Sequence, residues 1–249
     1  MSGHSKWAQI KRKKGVTDQR RGQAFSKIVR MITLAAKVGA DPETNFRLRL
    51  ALEKAKEINM PSTTVERAIK GASKEDATLS EVMYEAYGPF GVAMLIQSVT
   101  DNKNRASAEI KAVLTKFGGS LGGTGSVSWI FEQKGLIIVK SQKLEPSEKE
   151  EIELKVIDLG AEDIKEEGNI LEIYTSPQTT HKISKDLEKE GFKIESQTLE
   201  MQPKNLVKID DQSKVDKILK LMDELEELED VDQVYANFDI PEEILEKEI

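Results

Sequence analysis

Residues 81–117 read "EVMYEAYGPFGVAMLIQSVTDNKNRASAEIKAVLTKF", and the hydrophobic period changes inside them. The runs "EVMYEAY" and "GVAMLIQSVT", separated by the turn "GPFG", are rich in aliphatic and aromatic residues and predict a pair of strands. In "NKNRASAEIKAVLTKF" the apolar residues Ile110, Val113, Leu114 and Phe117 recur at three and four places, the spacing of one helix face. Strand, strand and helix in that order mark a mixed α and β chain, and the rest of the sequence divides on either side of them.

Upstream the pattern is helical. Phe25, Ile28, Val29, Ile32 and Ala36 form a stripe that stops before Gly39. "ADPETNFRLRLALEKAKEIN" (40–59) predicts a second helix, opened by Asp41 and Pro42, with Phe46, Leu50 and Ile58 facing inward. "MPSTTVERAIKGA" (60–72) predicts a third, with Thr63 and Glu66 at capping-box spacing and Gly71 at its end.

Downstream lie a glycine-rich loop, "GGSLGGTGS" (118–126), and a predicted strand, "SVSWIFE" (126–132). Strand 135–140, helix 147–159, strands 161–166 and 169–175, helix 178–190 and strand 192–200 then follow in βαββαβ order, a ferredoxin-like split. "NLVKID", helix 212–227 and "VDQVYANF", joined to strand 91–100, helix 103–117 and strand 126–132, complete a second such unit around the first. The expected fold is α+β: a small N-terminal helical domain followed by two ferredoxin-like (βαββαβ) α/β sandwich domains, one inserted in the other. The expected divisions are 1–78 for a basic arm plus helical domain, 79–133 with 202–249 for the discontinuous domain, and 134–201 for the insert.

Composition excludes several functions. With 38% hydrophobic and 33% charged residues, and no apolar run near the ~20 residues that span a bilayer, the chain reads as globular and without a membrane partner. Its amino terminus has no apolar signal region, so the expected compartment is the cytoplasm. There are no cysteines, and His4 and His181 lie far apart, which removes disulfides, thiolate metal sites and the usual zinc spacings. No Ser/His/Asp or Cys/His constellation can be placed, so no catalytic residue, metal or cofactor is predicted, and a non-enzymatic protein is expected.

The net charge of -7 hides a strong polarity: residues 1–74 carry 17 Lys and Arg against 6 Asp and Glu, the remainder 20 against 38. Such asymmetry points to a polyanion held by one end only. The candidate binding residues are Lys6, Lys11, Arg12, Lys13, Lys14, Arg20, Arg21, Lys27 and Arg30, whose charges neutralise phosphates and release counterions. A solvated tail is the rival reading, but it gives no reason for the tail to oppose the sign of its own body. Trp7, within the cluster, either stacks on an unpaired base or anchors the arm together with Ile10.

Three further segments carry weaker signals. The glycine loop follows a helix, opens a strand and lacks the Lys of a phosphate loop; Gly118 reads as a helix stop, and the rest as a backbone suited to a partner contact. In "TDNKNRAS" (100–107) Asp101, Asn102, Asn104 and Arg105 form a candidate secondary anion or partner site, against the reading that Asp101, Asn102 or Asn104 caps the helix. The stretch "DELEELED" (223–230) reads as a wet helix end, unfavourable for the helix dipole and able to repel nucleic acid.

The segments "GHSKWAQIKRKK", "NMPSTTVERAIKG", "YEAYGPFGVAMLIQSVTDNKNRA" and "FGGSLGGTGSVSWIF" together resemble the YebC/PmpR family of regulatory proteins, which includes a mitochondrial translational activator of cytochrome oxidase. The resemblance spans essentially the whole chain. It implies a cytoplasmic, non-enzymatic protein of three domains, with Gly3, His4, Ser5, Lys6 and Trp7 as the opening motif and Asp101, Asn102, Asn104 and Arg105 in a "TDN-NR" segment. Phe90 departs from the pattern, which has a small residue, usually Gly, in that turn. The function expected is a nucleic-acid-binding regulator of gene expression, a DNA-binding transcriptional regulatory protein acting through the basic arm. Its rival is a translation factor bound to the ribosome or its RNA, a target implied for the mitochondrial member.

Overall fold

The computed structural model describes residues 18–72, 79–140, 153–167, 170–241 and 244. The chain divides into two compact units, Met1–Phe131 with Pro203–Ile249, and Glu132–Gln202. The N-terminal helices and the first sheet belong to the first unit.

The helices are α1 (Asp18–Ala36), α2 (Phe46–Glu57) and α3 (Ser62–Gly71). The stripe of α1 is inward as predicted, with Ile28 and Ile32 buried among Leu48, Ala51, Ala55, Met60 and Ala68. On α2 the buried face is Leu48, Ala51 and Ala55, not the set centred on Leu50, and the two alanines let α1 approach closely. The cap of α2 is Asn45, whose side chain accepts from the Leu48 amide and donates to the carbonyls of Ala35 (2.8 Å) and Gly39 (2.7 Å). Asp41 instead closes its own turn, accepting from the Glu43 amide at 3.0 Å. Asn59, at φ +54°, ends α2 in a Schellman arrangement: its amide donates to the Lys56 carbonyl and that of Met60 to Ala55. No capping box opens α3, because Pro61 takes the cap position without a side-chain bond.

In the first sheet the order is β3 (Ser120–Leu121), β1 (Ser80–Tyr87), β2 (Ala93–Thr100) and β9 (Val231–Ala236), every pair antiparallel. Helices α4 (Lys103–Lys116) and α7 (Gln212–Glu227) bury one face, placing Ile110, Leu114, Ile218 and Met222 over Ala86, Met94 and Ile96.

This is an α/β sandwich, but the expected strands do not all build it. Residues 128–130 form a short 3-10 turn rather than a strand, and β8 (Val207–Lys208) pairs in parallel with β10 (Phe238–Asp239) outside the sheet. The central position beside β2 goes to β1, joined to it by the five residues 88–92, since a short loop costs less closure entropy than a distant partner.

The turn itself is strained: Phe90 sits at φ +63°, ψ 22°, in the left-handed region. Glycine adopts that geometry freely, which is the physical reason a glycine is expected there. Gly119 passes directly beneath the turn. A Cβ on it would stand 2.6 Å from the Tyr87 carbonyl oxygen, so a larger residue would push the two segments apart.

The second unit contains the sheet of β4 (Phe131–Lys140), β5 (Asp163–Glu167), β6 (Ile170–Thr175) and β7 (Ile194–Pro203), in the order β5-β6-β4-β7. A helix described over 153–158 (α5) and α6 (Thr180–Lys189) complete the βαββαβ succession. Val156, Ile183 and Leu187 pack on Ile137, Val139, Leu171 and Ile173. Part of the predicted helix 147–159 lies outside the described residues.

Candidate nucleic-acid interface

Of the basic residues singled out in the sequence, Lys6, Lys11, Arg12, Lys13 and Lys14, together with Trp7, lie outside the described residues. Arg20 and Arg21 lie in the first turn of α1. Lys27 and Arg30 continue along that helix, and the structure corrects what was expected of them. Both side chains are turned to the carboxyl end of α7. Lys27 Nζ donates to the Glu226 carbonyl. Arg30 donates through Nη1 to the Glu229 carbonyl (3.0 Å) and the Asp230 carboxylate (2.8 Å), and through Nη2 to the Glu229 carboxylate. Gln23, one turn before Lys27, donates to the Glu227 carbonyl at 3.4 Å.

The stretch "DELEELED" is therefore not a wet helix end. The last carbonyls of a helix carry negative partial charge, and here acidic side chains add to it. Cations from α1 supply the compensation that the sequence around the helix end lacks, which docks the helical region onto the sheet.

Asp230 is the hub of this junction. It is 2% exposed, and its carboxylate accepts from Thr100 Oγ1 (2.9 Å), from Arg105 Nε (3.0 Å) and Nη2 (2.7 Å), and from Arg30. Its backbone carbonyl accepts from Ser98 Oγ at 2.6 Å and the Val99 amide at 2.9 Å. The structure thus brings Asp101, Asn102 and Arg105 together at the start of α4, but engages them with one another and with Asp230. Arg105 also donates to Asp101 at 2.8 Å, and Asn102 caps α4 by accepting from the Arg105 amide at 3.1 Å. Hydrogen bonds donated to Asp230 and Asp101 push the pKa of the Arg105 guanidinium further up, and Arg105 in turn holds the Asp101 carboxyl below the usual range. The capping reading describes these side chains; Asn104 is exposed on the first turn of α4.

The glycine loop has its own anchor, which the sequence did not reveal. Glu85, 8% exposed in β1, accepts from the amides of Gly125 (2.6 Å), Val127 (2.7 Å) and Ser128 (2.7 Å). Burial pushes its pKa up, but these amide donors together with the Ser128 hydroxyl outweigh it and hold the carboxyl below its ordinary value. Beside it the hydroxyl of Tyr87 and the indole N–H of Trp129 both donate to the Ser126 carbonyl, each at 3.1 Å. By alternation Glu85 falls on the outward face of β1 with Glu81, Met83 and Tyr87, so the sequence pattern gives no sign of its burial; the one trace is a nearby glycine loop with several backbone donors.

Comparison with known proteins fits this architecture. Residues 5–75 match the model of the TACO1/YebC protein N-terminal domain, and residues 79–238 that of the TACO1/YebC second and third domain. A probable transcriptional regulatory protein of Halothermothrix orenii is 48% identical over 99% of this chain and 98% of its own length. One from Syntrophus aciditrophicus is 47% identical over 99% of each. The crystal structure of a conserved hypothetical protein from Aquifex aeolicus superposes with a TM-score of 0.80 at 44% identity, covering 90% of this chain and 92% of that one. The chain belongs to the TACO1/YebC family, whose curated relatives carry the name of regulatory proteins. Among the described residues no helix is long and apolar enough to cross a membrane, and no group of three or more acidic or histidine side chains is placed to hold a metal ion.

Proposed function

We propose that this protein is a nucleic-acid-binding regulator of transcription that holds DNA through its basic arm. One observation carries the reading. Lys27 and Arg30 are engaged with the acidic end of α7, so the positive excess of the N-terminal part is concentrated on residues 6–21, which hold seven Lys and Arg against Asp18. Contacts from such an arm are mostly to phosphate, so affinity is high at low salt and sequence preference is modest. The name of probable transcriptional regulatory protein carried by the relatives supports regulation at the level of transcription.

Trp7 within the cationic cluster favours a second reading, in which the arm enters folded ribosomal RNA and stacks on an unpaired base while the acidic body stays outside. Crosslinking in cells, followed by sequencing of the attached nucleic acid, separates the two. Promoter fragments are expected, and recovery of ribosomal RNA alone would replace the first reading with the second. In vitro, six phosphate contacts give a log–log salt slope of about -5 on duplex DNA, and charge reversal at Lys11, Arg12, Lys13 and Lys14 is expected to remove most of that slope.

A further inference from the structure

At the tip of the β1–β2 hairpin, the strained backbone of Phe90 presents its ring outward, 42% exposed. A bulky residue in the left-handed region normally persists only where something is gained, and core packing is not the gain here. The Nζ atoms of Lys214 and Lys217, on the first two turns of α7, stand 5.5 and 5.8 Å from the ring centroid. Among the described residues neither ammonium group is ion-paired with a carboxylate.

The nearby acids are turned to other donors: Asp211 caps α7, accepting from Ser213 Oγ (2.6 Å) and the Lys214 amide (3.0 Å), and Asp216 accepts from Gln212 at 3.1 Å. The platform is also rigid from behind, where Gly119 lies against the Tyr87 carbonyl and Gly118, at φ +82°, lies close to Lys217. An exposed aromatic face with two adjacent cations, on a part of the chain whose net charge is strongly negative, matches the chemistry of a base and its phosphates.

We propose that Phe90, Lys214 and Lys217 form a second contact for nucleic acid, with an unpaired base stacked on the ring and its flanking phosphates on the two ammonium groups. The inference rests on the nucleic-acid reading above and extends it from the arm to the sheet. A ring at a hairpin tip reaches only a base that has left its helix, so this contact selects single strands, loops and bulges over intact duplex.

The test uses the full-length chain with 12-nucleotide single strands of RNA and of DNA, each carrying one 2-aminopurine, and a matching DNA duplex. Phe90→Gly relieves the backbone and removes the ring. It is expected to weaken single-strand binding about tenfold and to abolish 2-aminopurine quenching, with duplex affinity unchanged and Phe90→Tyr restoring both signals. The double variant Lys214→Gln and Lys217→Gln is expected to reduce the single-strand salt slope by about 1.4. A loss confined to RNA or to DNA identifies the strand recognised.

Undiminished binding and quenching in Phe90→Gly would overturn the second contact. If charge reversal of the arm abolishes binding in the same series, the arm reading stands alone. If the parent chain binds none of the three probes at low salt, both readings fall together.

Discussion

The two sheets each bury carboxylates, and they treat them in opposite ways. In the first, Asp230 and Glu85 are nearly inaccessible, yet each is surrounded by donors: two arginines and a threonine for one, three backbone amides for the other. In the second, Glu172 and Glu200, both 2% exposed, flank β4 on neighbouring strands. Glu172 accepts from the Tyr174 hydroxyl at 2.8 Å, while Glu200 Oε1 has no hydrogen-bond partner among the described residues. Burial, and then the adjacent charge of Glu172, push Glu200 up to about 8. Burial alone therefore does not set the state of an acid; the donors brought to it by distant parts of the chain do. The donors of Asp230 and Glu85 join segments of the first unit, whereas Glu200 is accommodated by keeping its proton.

Removing the hub should have the largest effect. Asp230→Ala leaves two arginines and a threonine without their common acceptor, and a loss of about 3–5 kcal/mol is expected in urea unfolding of the first unit, followed by the fluorescence of Trp129. Because Arg30 then loses its main anchor, amides along α1 should also exchange faster. A hub that joins α1 to the sheet predicts both results together.

Glu85→Ala strands three loop amides and is expected to cost about 1–3 kcal/mol, with hydrogen exchange rising first at Gly125, Val127 and Ser128. Exchange confined to other segments would show that the loop is held by Tyr87 and Trp129 instead.

The contrast between Glu85 and Glu200 also predicts opposite responses to pH. Glu85, with its folded pKa below its unfolded one, contributes stability that is present above the unfolded pKa and lost as the pH falls through the folded value. Glu200, raised to about 8, contributes stability that is complete below its unfolded pKa of about 4.3 and declines as the pH rises towards 8. Glu85→Gln should therefore flatten the acid limb of the stability profile, and Glu200→Gln the limb between about pH 5 and 8, read by amide exchange in β6 and β7. An unchanged slope in Glu200→Gln would mean that Glu200 is already ionised in the folded chain.

The smallest effect expected is at the hairpin tip. Phe90→Gly relieves a left-handed residue worth about 1–2 kcal/mol, part of which returns as extra freedom in the unfolded chain, so the melting temperature should rise by a few degrees. A fall instead would show that the two lysines and the ring hold the turn together.

The elements were legible where the pattern is local. The stripe of α1, the hairpin around "GPFG" and the βαββαβ succession from 135 to 200 follow from residues a few places apart, and the structure has them. Caps were less legible, because Asp41 and Asn45 are both able to cap α2, Thr63 and Pro61 both stand at the start of α3, and only geometry selects between them. The charge polarity of the candidate segment was legible in the sequence, and the wiring of its helical part was not. Lys27 and Arg30 look identical to the arm cations in composition, and nothing within thirty residues of them announces an acidic helix end two hundred positions away.

What the sequence determined alone was periodicity, charge polarity and the segments that mark the family, since these depend on neighbours along the chain and on side-chain chemistry. Tertiary structure decided which cations meet carboxylates inside the molecule, which strand takes the central place beside β2, and why Glu85 and Glu200 differ. Those outcomes depend on the competition between electrostatic partners and loop closure across long separations, and that competition is resolved only when the chain is folded.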